Sequence, residues 1–128
     1  MTQEEKELLL KDLCARLPYG VEVEYDNCAC EVLSIDKDNG ELTISKSPGY
    51  SPNVRLEEIK LYLFPMSSMT GVEVLEYISL KESIIASDDI TYHFETHESI
   101  DWLNKNKFDY RGLIPKGLAN DATGLGIY

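Results

Sequence analysis

A chain of 128 residues with 43% apolar content and five prolines is long enough for one domain around one core, and its composition is not that of a disordered segment. Twelve basic against twenty-three acidic residues leave a net charge of −11, which opposes approach to phosphate backbones and anionic lipid and points to solubility or a basic protein partner. No apolar run approaches the ~20 residues of a membrane span, the N-terminal MTQEEKELLL carries acids where a secretory signal carries bases, and three cysteines leave an odd thiol under any pairing, so a cytoplasmic, reducing setting is expected.

Thr2 and Glu5 have capping-box spacing, and Leu9, Leu10, Leu13 and Leu17 recur on one helical face until Pro18-Tyr19-Gly20 stops the helix. From Val21 the period becomes two. Val21, Val23 and Tyr25 alternate with Glu22 and Glu24, Asp26-Asn27 offers a tight turn, and CACEVLSI returns as a second strand. Asp38-Asn39-Gly40 supplies residues suited to a type I′ turn before ELTIS, the third strand. KSPGYSPN reads as a surface loop. In VRLEEIKLYLF, Val54 and Leu56 keep one parity with Ile59, Leu61 and Leu63 only if Glu57-Glu58 breaks the register, which predicts a bent sheet.

Pro65 ends that run, and the spacing of Thr70 and Glu73 predicts a short helix with Leu75 and Ile78 on one side. KESIIASDDITYHFE reads as two short strands around Ser87-Asp88-Asp89, with Ile90, Tyr92 and Phe94 facing inward. ESIDWLNKN is a compact helix with Ile100, Trp102 and Leu103 as its apolar content. In FDYRGLIPKGL, Asp109 to Gly112 and Ile114 to Gly117 fit two successive tight turns, anchored by Leu113, Ile114 and Leu118.

No catalytic constellation emerges. His93, Glu95 and His97 alternate, but at ~3.3 Å per residue the outer pair of a strand would stand about 13 Å apart, and HFETH is not the helical H-E-x-x-H arrangement, so a solvated strand face is expected and no metal. Cys28 and Cys30 lack the C-x-x-C spacing of zinc and redox sites and read as packing residues; Cys14 lies beside the leucine stripe, with no arrangement of cations evident to activate it, and reads as inert. Neither SPGYSP nor TGLGIY has the setting of a phosphate loop. Trp102, Phe108, Tyr110 and Arg111 beside Lys105 and Lys107 form one locally basic, aromatic stretch in an acidic chain, of the residue types that dominate binding hot spots. Together with Tyr50 in the KSPGYSPN loop, Trp102, Lys105, Lys107, Tyr110 and Arg111 are the candidate partner contacts.

LPYGV at Leu17 to Val21, FPMSSMT at Phe64 to Thr70 and DWLNKNKFDYRGLIPKGLA at Asp101 to Ala119 give the chain a resemblance to small uncharacterised proteins of bacteriophages and mobile elements of anaerobic gut bacteria. The resemblance implies phage or mobile-element origin and residence in a host cytoplasm, with no activity or cofactor attached.

The expected architecture is α+β in a single domain over residues 1–128. An N-terminal helix and a bent antiparallel sheet resembling a small SH3-like barrel fill 1–65; a helix, hairpin and helix with a turn-rich tail fill 66–128. The expected function is a non-enzymatic protein-binding module whose partner is a host or phage protein, with no cofactor, nucleic acid or membrane, and with a homodimer left open. An acidic nucleic-acid mimic that blocks a host DNA-binding or defence protein is the alternative, and a metal-dependent hydrolase using His93 and Glu95 is a third.

Overall fold

The structure is a computed structural model and describes residues 1–85 and 91–128. The reciprocal capping box forms at the first helix: Glu5 N–H donates to Thr2 Oγ1 over 3.1 Å, and Thr2 N–H donates to Glu5 Oε1 over 3.0 Å. It opens α1 (Gln3–Arg16), which passes through a 3₁₀ turn at Leu17–Tyr19 into the sheet. Leu9 and Leu13 are buried from its inner face.

Five antiparallel strands follow: β1 (Glu22–Tyr25), β2 (Cys28–Asp36), β3 (Glu41–Ser45), β4 (Asn53–Arg55) and β5 (Lys60–Pro65). Asp26 and Asn27, at φ of 51° and 61°, make the two-residue turn between β1 and β2, the positive-φ pair of a type I′ hairpin. The second turn differs from its expectation. Only Gly40 has positive φ there, because the Asp36 carboxylate accepts the amides of Asp38 and Asn39 and so shapes a longer loop than a type I′ turn. A bulge falls between Val32 and Ser34 in β2, and the Glu57-Glu58 break is a 3₁₀ turn at Leu56–Glu58 that restores parity between β4 and β5.

The strand order is β4-β3-β2-β1-β5, and the far edge of β5 is covered in parallel by two short tail strands, β8 (Phe108–Asp109) and β9 (Ala119–Asp121). Phe64 pairs with Phe108, and Leu61 with Ala119. The sheet is therefore mixed and open. The closed SH3-like barrel is not what forms: among the described residues β4 pairs with β3 alone, and the free edge of β5 is taken by the tail. The main core lies between α1 and this sheet, with Val23, Leu42, Ile44, Leu61, Leu63 and Leu113 buried in it; each such side chain contributes about 1.5–3 kcal/mol.

Between β5 and the tail lie α2 (Gly71–Leu80), a hairpin of β6 (Glu82–Ile85) and β7 (Thr91–Phe94), and α3 (His97–Lys105). Thr70 with Glu73 and Thr96 with Ser99 close capping boxes at α2 and α3. A second cluster joins Tyr77, Leu103 and Phe108, with Phe64, Met69 and Trp102 packed on it. The turn expected at Ser87-Asp88-Asp89, the facing of Ile90 and that of the Tyr92 side chain lie outside the described residues. Phe94, expected inward, is 48% exposed. No helix among the described residues is long and apolar enough to cross a membrane.

Candidate functional site

The aromatic and basic stretch of residues 102–111 is bound largely into the interior. Arg16 and Asp12 are one turn apart on α1 and both fully buried. Arg16 Nε and Nη2 donate to the two oxygens of Asp12 over 2.8 and 3.1 Å, and Nη2 also donates to the Phe108 carbonyl over 2.7 Å. Arg111 Nη1 reaches the same Asp12 carboxylate over 2.8 Å. Both guanidinium groups lie over the Tyr110 ring, at 5.4 Å for Arg16 and 4.6 Å for Arg111, and the Tyr110 hydroxyl donates to Asn104 Oδ1. One carboxylate, two guanidiniums and a tyrosine thus fasten the tail to α1 and α3.

Lys107 corrects the expectation of a surface contact, since it is only 6% exposed. Its backbone has φ of 65°, one residue beyond the C-cap of α3, and its ammonium donates to the carbonyls of Tyr19 and Lys105, each over 3.0 Å. These carbonyls end the 3₁₀ turn after α1 and α3 itself, where the partial negative charge of a helix end attracts a cation. Burial, then the neighbouring charge of Arg16, pushes the Lys107 ammonium below the usual lysine range.

Trp102 is partly buried, stacked between Tyr77 and Phe108 at centroid distances of 5.7 and 5.5 Å. Lys105 is exposed and, with Lys107, Phe64, Phe108, Gly124 and Tyr128, borders an open cavity of ≈ 450 Å³. Tyr50 stands apart, 54% exposed in a tight turn closed by its amide on the Ser47 carbonyl. The six residues singled out in the sequence therefore do not form one surface: Lys105 and Tyr50 are open, and the other four are wholly or partly inside.

The tail turns have distinct causes. Asp109 accepts the amides of Leu113 and Ile114 over 2.8 and 2.9 Å, while the second turn closes by Gly117 N–H on the Ile114 carbonyl. Gly112 and Gly117, at φ of 73° and 74°, take the left-handed conformation these turns require.

His93 and Glu95 have separate partners. His93 Nδ1 lies 3.0 Å from Ser83 Oγ. Glu95 accepts from the Tyr77 and Ser99 hydroxyls and pairs with Lys81. Its partial burial favours the neutral acid, but those hydrogen bonds and the lysine outweigh this and hold the carboxyl below its ordinary range. Burial, then the Glu95 hydrogen bond and charge, pushes the Tyr77 hydroxyl well up. His97 is the first residue of α3. Among the described residues no three His, Cys, Asp or Glu side chains are grouped as metal ligands. Cys30 is buried and burial raises its thiol, whereas Cys28 is exposed, so only the former packs as expected.

The surface that sequence reasoning missed is α2. Of its ten residues only Tyr77 is buried, and Leu75 and Val72 stand out at 71% and 67% exposed, with Val74 and Ile78 also exposed. At ~100° per residue, Val74, Ile78, Leu75 and Val72 cover an arc of about 160° roughly opposite Tyr77. Leu75 and Ile78 do share a side as expected, and that side faces outward. The signal was present in GVEVLEYISL, whose six apolar residues encircle the helix, more than one packed face can cover.

Comparison of the chain with family models, with curated proteins and with solved structures finds no match.

Proposed function

We propose that this chain is a protein-binding module of phage or mobile-element origin, acting in a host cytoplasm, that works by presenting a surface and not by transforming a substrate. The observation that carries the reading is the outward apolar face of α2. A three-turn helix that buries one side chain and exposes Val72, Val74, Leu75 and Ile78 leaves apolar area in water, and burying such area is the main driving force of protein association. The contact surface accordingly moves from Trp102–Arg111 to α2, which is held to α3 through Tyr77 stacked on Trp102. The nucleic-acid mimic draws less support, because an apolar strip has no counterpart in a phosphate array.

A photo-crosslinking amino acid placed at Leu75, and separately at exposed Lys37 on the opposite half of the chain, tests the reading in host cells. Adducts of defined mass at position 75 that vanish when Ile78→Asp is added are expected; equal adducts at both positions, or none at 75, would refute it.

A further inference from the structure

Charge on α2, on the segment that follows it and over the whole chain, at −11, bears on what covers this face. From Glu73 to Asp101 the described carboxylates are Glu73, Glu76, Glu82, Glu95, Glu98 and Asp101, and all but Glu73 are exposed. The lone lysine of the same stretch, Lys81, is committed to Glu95 over 3.3 Å. On the helix itself Glu76 stands about 40° beyond Val72, at the border of the apolar arc. Just past the helix Glu82 pairs across the hairpin with half-exposed Phe94. An apolar strip running about 9 Å from Val72 to Ile78 thus has Glu76 at its border, a carboxylate in no ion pair among the described residues.

From this charge pattern we infer that the α2 face docks a basic amphipathic helix of another protein, its apolar side on Val72, Leu75 and Ile78 and its lysines or arginines toward Glu76 and the neighbouring acids. The inference rests on the protein-binding reading and adds the chemistry of the partner. A second copy of this chain is the wrong occupant: face-to-face pairing would bring two Glu76 side chains, and two chains of net charge −11, within about one Debye length, ~8 Å at physiological salt, where like charges repel. An anionic membrane is opposed by the same repulsion. A basic helix satisfies both features at once, since its apolar side removes the strip from water and its cations meet Glu76 and a chain of net charge −11.

The test uses the full chain and three synthetic peptides of about 18 residues: a leucine-lysine peptide with its leucines on one helical face, the same peptide with glutamate for lysine, and a lysine peptide with its leucines scrambled. Heteronuclear NMR at about 0.15 M salt follows the amides of residues 71–80. The leucine-lysine peptide is expected to shift them saturably, the other two to bind at least about tenfold more weakly, and Leu75→Asp to weaken binding by about tenfold with the rest of the spectrum unchanged. Glu76→Lys is expected to weaken it about threefold. Equal binding of the glutamate peptide at α2 would overturn the basic partner while leaving a binding module in place. Equal binding of the scrambled peptide would reduce the effect to diffuse charge and overturn the inference. Self-association of the chain that Leu75→Asp abolishes would make the occupant a second copy and overturn it too. No response at α2 to any peptide would remove both the partner chemistry and the surface it rests on.

Discussion

Arg16 is the residue on which the two halves of the chain depend. Its guanidinium is buried between Asp12 on its own helix and the carbonyls of Leu103 and Phe108, so three elements lose a partner if it is cut back. Arg16→Met is expected to cost about 3–5 kcal/mol in urea unfolding, because Asp12 and two buried carbonyls are left with unmet demand. Asp12→Ala, which strands two guanidinium groups, belongs in the same range. Glu95 contributes to acid sensitivity. Its folded carboxyl sits below the ordinary 4.5, so it contributes stability that is present above that value and is lost as pH falls through the lowered one. Thermal melting between about pH 5 and about pH 3 should fall more steeply for the wild-type chain than for Glu95→Gln, and parallel curves would show that the Tyr77, Ser99 and Lys81 contacts do not favour the carboxylate.

Elements differ in how far the sequence discloses them. The helices and the five antiparallel strands follow from local signals: capping boxes at Thr2 and Thr70, the apolar residues of ESIDWLNKN, alternation in Val21–Tyr25 and Glu41–Ser45, and a 3₁₀ break where Glu57-Glu58 demanded one. The parallel pairings of β5 with β8 and β9 were not legible, because they join residues far apart in the chain, and two- and three-residue strands carry no periodicity. The turn at Ile114 to Gly117 was legible as a turn, and the one expected at Asp109 to Gly112 is instead a bend held by the Asp109 carboxylate; the purpose of the pair, carrying the tail from one half of β5's edge to the other, appears only once both pairings are known. Gly117→Ala should therefore cost about 1 kcal/mol through its positive φ, and Asp109→Ala about 1–3 kcal/mol through two freed amides, in equilibrium unfolding. At α2 the periodicity aligned Leu75 with Ile78 correctly and could not say which side met the core, since apolar residues surround the helix. Val72→Ser and Leu75→Ser are expected to change stability by less than about 0.5 kcal/mol each; a loss of 2 kcal/mol or more, in the range of large-to-small changes at buried sites, would mean that these side chains are packed.

Across the whole molecule, charge and burial divide the labour. The cations of residues 102–111, which looked like a recognition patch in the sequence, are mostly spent on interior carboxylate and helix-end carbonyls, as Arg111 on Asp12 and Lys107 on Tyr19 and Lys105 show. What remains at the surface of α2 is Glu76 beside an apolar face. That distribution was hidden because local composition marks where charges lie along the chain and not which of them are neutralised by folding. The measurement that bears most directly on the central claim is affinity capture from host lysate, with the wild-type chain and a Val72→Asp, Leu75→Asp double variant run side by side at about 0.05 and about 0.5 M salt. The account predicts a protein held by the wild type at both salts, more strongly at the lower, and lost from the variant at both; the same proteins held equally by the two chains would contradict it.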